Sequence, residues 1–404
     1  MTETDKIKLI RQAMPATDSK VYLNTGAVGP ISTITSDSLQ QSQARELREG
    51  RATMSGYAQF LEAQAAFRQA VARLVKAKPQ EIALTHHTTD GVNIVAHGLA
   101  WRPGDEVITT NLEHPGGFLP LYVLRQRQGV GIRFAELSAN DSPEEIIHKF
   151  EAAITPRTRL MVFSHVAWTT GMRLPLAELV AMGHRQQVLS LVDGAQSTGA
   201  IPLDLPASGV DFYAMPAQKW LCGPEGTGAL FVRQDRLSLL WPTFAGYSTI
   251  ARTGAYDPTG YFVPAQGAAR YEVGTVNRPA IEAMVNNLKW LEETVGWEWI
   301  YTRVAHLAQY ARTALSRLPG VTVITPSMPQ AGLITFNLVG YDPARVMTAL
   351  GQEGIILRFL QHPYALRIST GFYNTESDLD KLVTALEAIL EREPESLPPF
   401  EPLG

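Results

Sequence analysis

The chain has little cysteine, no long apolar run and no excess of positive charge. Its single cysteine, Cys222, excludes an intramolecular disulfide bond. The opening segment MTETDKIKLIRQAMP lacks the apolar run of a secretion signal, and no apolar stretch is long enough to span a bilayer. We therefore expect a soluble, cytoplasmic protein.

The charge balance excludes some classes of partner. Lys and Arg number 35 against 39 for Asp and Glu, so the formal net charge is −4. Proteins that bind nucleic acids or anionic membranes favour a basic surface, so we expect neither partner. A small anionic ligand needs only a few local cations and remains compatible with this balance. The length of 404 residues is typical of two domains rather than one.

Short β-rich segments alternate with helical patterns between about residues 80 and 216. These segments are EIALTH (81–86), EVITT (106–110), GIRFAEL (131–137), RLMVFSHV (159–166), VLSLVDG (188–194) and VDFYAMP (210–216). The alternation predicts an α/β fold with a mostly parallel central sheet. GALFVRQ (228–234) predicts one more strand, antiparallel and at an edge.

The last third of the chain has a different pattern. A long helical run is followed by four short β runs and a closing helix, which predicts a smaller α+β domain. We expect residues 20–275 to form a large, cofactor-binding domain. Residues 1–19 together with 276–404 would form the small domain.

An acidic residue and a lysine follow two of the predicted strands. Asp193 ends one apolar strand, and Lys219 follows another before a glycine-rich turn. Ligands of open α/β sheets bind at the carboxyl ends of strands, so both side chains should face one crevice. Considered one at a time, Asp193 would be interpreted as a helix cap and Lys219 as a surface cation. Pyridoxal 5′-phosphate (PLP), however, needs an amine for its imine and a carboxylate for its pyridine nitrogen. The pair therefore predicts a PLP enzyme with Lys219 as the Schiff-base lysine.

Three further segments suit the same cofactor. Thr88 and Thr89 lie at a predicted helix N-terminus, where hydroxyls and free N–H groups suit a phosphate; ordinary helix caps are the alternative. His114, in NLEHPGG, offers an imidazole that can stack on the pyridine ring. Gln196, three residues after Asp193, can donate a hydrogen bond to the phenolic oxygen. No metal site is predicted.

These motifs resemble a known family. DGAQS, HTTDGVN and a lysine before a Gly-Pro-x-Gly turn resemble the class-V aminotransferases, in their cysteine desulfurase-like branch, over residues 20–390. EHPG, SHVAWTTG, LVDGAQSTGAIPLDL, KWLCGPEG and PQAGLITF are most similar to the PLP-dependent L-cysteine/cystine C–S lyases. The resemblance implies the PLP-dependent transferase fold (aspartate aminotransferase-like, fold type I) and a homodimer.

The resemblance implies the same cofactor roles for the residues already singled out, namely Lys219, Asp193, Gln196, His114, Thr88 and Thr89. It adds Thr275, which would reach the phosphate of the neighbouring subunit. It also implies that Arg367 takes the substrate α-carboxylate as a two-pronged pair, with a structural ion pair as the alternative. Trp168 would line the substrate pocket or pack in the core, and backbone near Asn24–Ala27 would contact the carboxylate.

The sequence departs from the family pattern at two places. Many relatives have Ser-Gly-His before the lysine, whereas this chain has Pro216, Ala217 and Gln218; Gln218 can still donate a hydrogen bond to the phosphate but carries no charge. Cysteine desulfurases use a loop cysteine, and Pro363 stands where it would be expected. Cys222 lies on the wrong segment and is expected to pack as a small apolar side chain. A desulfurase is therefore disfavoured.

The expected function is β-elimination of cystine, cysteine or a related sulfur amino acid. The products would be pyruvate, ammonia and a thiol or persulfide, with Lys219 removing the Cα proton. Epimerisation, as in isopenicillin N epimerase-like relatives, and transamination use the same residues and stay open, because fold does not fix reaction. A binding protein that merely holds PLP is disfavoured by the set Lys219, Asp193 and Arg367.

Overall fold

The computed structural model describes residues 2–251, 256–327 and 331–400. Its strands are β1 (Val21–Tyr22), β2 (Ile82–Thr85), β3 (Glu106–Thr110), β4 (Gly131–Ala135), β5 (Thr158–Ser164), β6 (Leu189–Asp193), β7 (Phe212–Pro216), β8 (Gly228–Val232), β9 (Val321–Val323), β10 (Leu333–Leu338), β11 (Ile355–Ile356), β12 (Arg358–Gln361) and β13 (Tyr364–Ser369). Its α-helices are α1 (Glu3–Ala13), α2 (Ala16–Ser19), α3 (Thr33–Glu49), α4 (Met54–Leu74), α5 (Thr88–Gly98), α6 (Pro115–Gln128), α7 (Pro143–Ala153), α8 (Leu176–Arg185), α9 (Leu205–Ser208), α10 (Arg278–Trp290), α11 (Trp297–Ser316), α12 (Pro343–Gln352) and α13 (Glu376–Leu390).

A seven-stranded sheet forms the centre of the molecule, in the order β2-β8-β7-β6-β5-β3-β4. From β7 to β4 all neighbouring strands are parallel, which confirms the predicted α/β fold. The predicted strand GALFVRQ is β8, and it is antiparallel to both neighbours as expected. Its predicted edge position is wrong, because β2 pairs along its outer side and takes the edge.

Helices α5 and α6 begin directly beyond the carboxyl ends of β2 and β3. His87 caps α5 by accepting a hydrogen bond from the Asp90 N–H, and His114 caps α6 through its imidazole, with Pro115 in the first turn. Since β2 is antiparallel to β8, and β8 to β7, the carboxyl ends of β2, β3, β6 and β7 share one edge of the sheet. The predicted site residues are carried at this edge.

A second, antiparallel sheet has the order β12-β13-β10-β9 and packs with α11, α12 and α13 around its own buried apolar cluster. The chain segment after β1 contacts the regions of both sheets, because Asn24 forms a bridge with Ser369 at the end of β13 and the Gly29 N–H donates to the Gln218 carbonyl beyond β7. Ile10 of α1 and Met284 of α10 belong to the same buried cluster as the large sheet's core. The predicted division into domains at residues 20 and 275 stays a proposal.

Among residues 2–251, 256–327 and 331–400, no helix has both the length and the apolarity of a transmembrane span.

Candidate active site

A cavity of about 530 Å³ lies at the carboxyl ends of β2, β6 and β7. The predicted cofactor residues that line it are Thr88, Thr89, His114, Asp193, Gln196, Gln218 and Lys219. The predicted substrate residues Ala27, Trp168 and Arg367 line it as well. Asn24 is not among its lining residues, and Thr275 lines a separate cavity of about 400 Å³.

Lys219 and Asp193 bring an amine and a carboxylate to this cavity. Burial, together with the Arg367 and Arg358 charges, lowers the pKa of Lys219 to about 8 against the opposing effect of Asp193. Asp193 is buried, and its Oδ1 accepts a hydrogen bond of 2.8 Å from the Ala195 N–H. Burial raises the pKa of Asp193 while Lys219 lowers it. The amine is thus made more nucleophilic at neutral pH than an exposed lysine.

The first turn of α5 offers hydrogen-bond donors to an anion. Thr88 and Thr89 are its first two residues, and both line the cavity. A Cβ atom at Gly116 would overlap the Thr89 hydroxyl, so the first turn of α6 passes too close to the first turn of α5 for a side chain at this position. Free N–H groups, two hydroxyls and the helix dipole together suit a phosphate.

His114 lies at the end of the loop between β3 and α6, and its imidazole is neutral. Its Nδ1 accepts a hydrogen bond of 3.0 Å from the Gly116 N–H. Burial, and then the Lys219 charge, lower the pKa of His114 to about 4. Its ring meets Trp168 edge to face, with 4.9 Å between the ring centroids. A neutral ring fixed in this way suits stacking on a pyridine ring better than an imidazolium would.

Trp220 orients Gln196 and was not found by sequence reasoning. The Trp220 indole N–H donates to Gln196 Oε1 at 3.0 Å, and Gln196 Nε2 donates to the Gly26 carbonyl at 2.9 Å. Because Oε1 is occupied by a donor, the amide must present its NH₂ group as donor on the other side. A Cβ atom at Gly332 would overlap the Trp220 ring, so the indole leaves no room for a side chain at position 332. The signal in the sequence that could have found this contact is general: a buried tryptophan needs an acceptor for its N–H.

Two arginines converge on Trp168, and only one of them was predicted. Arg367 is fully buried, and its Nη1 donates to the Trp168 carbonyl at 2.8 Å. Its Nε and Nη2 have no hydrogen-bond partner among the described residues. Arg358 lies opposite Arg367 on the neighbouring strand, and the guanidinium carbons lie 5.6 Å (Arg358) and 5.9 Å (Arg367) from the Trp168 ring centroid. Burial and the Arg358 charge lower the pKa of Arg367 to about 9.

Glu113 is a second buried carboxyl near Asp193 and was also missed. Thr110 and Ser164 hydroxyls each donate to it at 2.6 Å. Burial raises the pKa of Glu113 to about 7, and the Asp193 charge acts in the same direction. Ser164 pairs with Asp193 across β5 and β6, so its hydroxyl connects the loop that carries Glu113 to the strand end beside Asp193.

The donor and acceptor set fits PLP. Lys219 offers an amine for its aldehyde, Asp193 a carboxylate for its pyridine nitrogen, and the first turn of α5 a cradle for its phosphate. Buried polar atoms without a partner among the described residues include Gln218 Oε1, Trp168 Nε1 and two nitrogens of Arg367. Such atoms are costly unless a ligand bonds to them, so they agree with a site built for a polar molecule.

Comparison with known proteins gives a consistent result. Residues 21–382 match the family model described as Aminotransferase class-V. A probable cysteine desulfurase of Mycolicibacterium paratuberculosis is 31% identical over 80% of this chain and 48% of its own length, so this chain spans about half of that relative. Isopenicillin N epimerase of Streptomyces clavuligerus is 32% identical over 91% of this chain and 94% of that protein.

Solved structures give the same picture. The cystine C–S lyase C-DES, in complex with its reaction product cysteine persulfide, has a TM-score of 0.88 and 30% identity over 92% of this chain and 98% of its own. A mutant of C-DES with glycine covalently linked to its PLP cofactor has the same TM-score of 0.88 and 30% identity.

Proposed function

The chain belongs to the class-V aminotransferase family, and on this premise we propose that it is a lyase that cleaves the C–S bond of cystine or a related sulfur amino acid. Its cofactor is pyridoxal phosphate, as the family and the C-DES structures indicate. The products would be pyruvate, ammonia and a persulfide or thiol.

In this proposal the cofactor would supply an electron sink for the electron pair left at the substrate Cα. Lys219 Nζ would hold the cofactor aldehyde, and as a free amine it would take the Cα proton of the substrate. Asp193 would keep the pyridine nitrogen protonated, and His114 would cover the ring. Gln196, oriented by Trp220, would donate to the phenolic oxygen.

The observation that carries the proposal is the pair of arginines around Trp168. Arg367 has two unpartnered donor atoms, which suit the planar fork of an α-carboxylate. Arg358 adds a second guanidinium to the same cavity. Cystine carries two carboxylates, one in each half, so each can meet one arginine. A substrate with a single carboxylate would leave Arg358 without a partner of opposite charge in the cavity.

The lack of a nucleophilic thiol supports elimination over desulfuration. Cys222 is the single cysteine of the sequence. It is fully buried, is not among the residues lining the cavity, and burial raises the pKa of its thiol. Pro363 stands in the turn between β12 and β13. A reaction that passes sulfur to an enzyme cysteine therefore has no acceptor, whereas elimination needs none.

Epimerisation is the second candidate, because the isopenicillin N epimerase relative matches over 94% of its length. Inverting Cα requires one group to remove a proton and a second group to return it from the opposite face. His114 is the imidazole beside the predicted ring position, and its lowered pKa makes it a poor proton donor at neutral pH. This observation favours elimination.

Pyruvate release separates the candidates. Purified holoenzyme would be given cystine, and pyruvate would be measured with lactate dehydrogenase while persulfide is trapped by alkylation. We expect both products without an added keto acid, and faster turnover of cystine than of S-methylthiocysteine, a mixed disulfide that also expels a persulfide but has one carboxylate. Arg358→Met should remove most of that preference. Pyruvate that requires a keto acid would indicate transamination, and loss of optical activity without pyruvate would indicate epimerisation.

We also propose a homodimer in the cytoplasm. Thr275 lines a different cavity from Lys219 within one chain. A second copy would be needed for Thr275 to reach a phosphate, as the family resemblance implies. Sedimentation with and without PLP measures this assembly, and a monomer under both conditions would contradict it.

A further inference from the structure

His87 lies at the first turn of α5 and has no role in the assignment so far. It lines the same cavity as Lys219, and about half of its side chain is exposed (50%). Its Nδ1 accepts a hydrogen bond of 3.2 Å from the Asp90 N–H. An imidazole that accepts at Nδ1 carries its proton on Nε2 when neutral, so Nε2–H is left as a donor.

A phosphate at this turn needs donors that residue 218 does not fully provide. A phosphate monoester carries roughly −1.5 to −2 charge at pH 7. Gln218, directly before Lys219, is neutral, and its Oε1 is an acceptor without a partner among the described residues. The remaining cations lining the cavity are the two arginines near Trp168, which the proposed substrate would use. Among the residues that line the cavity, His87 is the ionisable hydrogen-bond donor at the N-terminus of α5.

We propose that His87 binds the cofactor phosphate through its Nε2–H and supplies the imidazole that position 218 lacks. The inference rests on the placement of the phosphate at Thr88 and Thr89. It does not depend on which reaction the enzyme catalyses, so it can fail or succeed independently of the proposed lyase activity.

His87→Asn separates phosphate binding from helix capping. Asparagine is a good N-cap residue, so the bond from the Asp90 N–H can be retained while the longer ring donor is removed. His148→Asn is the matched control. His148 is an exposed imidazole of α7, and it lines neither the cavity of Lys219 nor that of Thr275.

The measurement compares two cofactors. The full-length protein, stripped of cofactor, is titrated with PLP and with phosphate-free pyridoxal, and the dissociation constants are read from absorbance. Because both aldehydes form the same link to lysine, the ratio of the two constants isolates the contribution of the phosphate. Borohydride reduction followed by peptide mapping of the unmodified protein first establishes that PLP is attached at Lys219.

We expect His87→Asn to weaken PLP binding about tenfold, the effect of one hydrogen bond to a charged group that is partly exposed to water. Pyridoxal binding should change less than about twofold, since it lacks the phosphate that this bond contacts. His148→Asn should alter neither constant. Equal weakening of the binding of both aldehydes, unchanged PLP binding, or the same loss in His148→Asn would each overturn the proposal.

Discussion

Arg367→Met should make the protein more stable and less active at the same time. Burial lowers the pKa of Arg367 to about 9, although at neutral pH the side chain remains charged. This lowering of the pKa corresponds to a destabilisation of the folded protein by at most about 5 kcal/mol. The destabilisation is present in full at every pH below the folded pKa, and it disappears as the pH rises above that value. Replacing buried ion pairs with apolar side chains is neutral or stabilising by about 1–4 kcal/mol in other proteins. For Arg367, which has no ion pair among the described residues, we expect a gain at the lower end of that range, because the Trp168 carbonyl loses its donor.

The loss of activity follows from the same two unpartnered nitrogens. Two hydrogen bonds to a carboxylate are worth about 3–6 kcal/mol, so kcat/KM for cystine should fall roughly 10²- to 10⁴-fold. Unfolding would be followed by urea titration of the cofactor-free protein, and activity by initial rates of pyruvate formation by the holoenzyme.

Arg303→Met is the matched control for stability. Arg303 is also buried (4% exposed), but it donates to Glu376 and to the Asn374 carbonyl. Its removal leaves partners unpaired, so it should destabilise the protein by about 3–5 kcal/mol without changing cystine turnover. If Arg367→Met lowered the free energy of unfolding as Arg303→Met does, or reduced kcat/KM less than about tenfold, the assignment of Arg367 as the residue that binds the substrate carboxylate would be wrong.

Three more predictions concern the cofactor. Because the pKa of Lys219 is about 8 and only the unprotonated amine attacks an aldehyde, the rate of PLP capture by cofactor-free protein should rise with pH and level off above that value; a stopped-flow rate that stays flat would contradict this. Gly116→Ala should weaken PLP binding, since its Cβ would overlap the Thr89 hydroxyl, whereas Gly351→Ala, with open space around it, should not; equal dissociation constants would refute the reasoning. Asp193→Asn should lower cystine turnover by about hundredfold or more, the effect of losing one partner of a buried charged pair; full turnover with an unchanged cofactor spectrum would exclude the pyridine role.

Local patterns were enough to predict the large sheet and two of its strand-end residues. Each predicted strand of the sheet is a short apolar run, and Asp193 and Lys219 follow such runs directly. The rule that ligands bind at the carboxyl ends of strands then brings both residues to one cavity without any long-range information. The position of β8 could not be read in the same way, because its neighbour β2 comes from a segment far away in sequence.

Arg358 shows how a long-range feature can be missed although its signal is present. Gln361 pairs with Tyr364, so the turn of this hairpin consists of His362 and Pro363. Counting back from a two-residue turn brings Arg358 opposite Arg367, as the structure has it.

Other contacts have no local signal. Gln196 lies next to Trp220 and Gly26 because three separate chain segments meet above β6 and β7. The spacing of these residues in the sequence does not predict that contact. His87 stood beside the two predicted phosphate threonines, but only its hydrogen bond from the Asp90 N–H reveals which ring nitrogen is left as a donor.

The contact of Trp220 with Gly332 has a consequence for directed evolution of this enzyme. A Cβ atom at position 332 would overlap the indole and would lie 2.6 Å from the Thr370 carbonyl oxygen, so a smaller residue at position 220 relieves only one of the two overlaps. Libraries that aim to change the reaction should therefore keep glycine at position 332 and randomise positions 220 and 196 jointly, because these two side chains share a hydrogen bond. In a family tree positions 196 and 220 would be expected to change together while position 332 stays glycine.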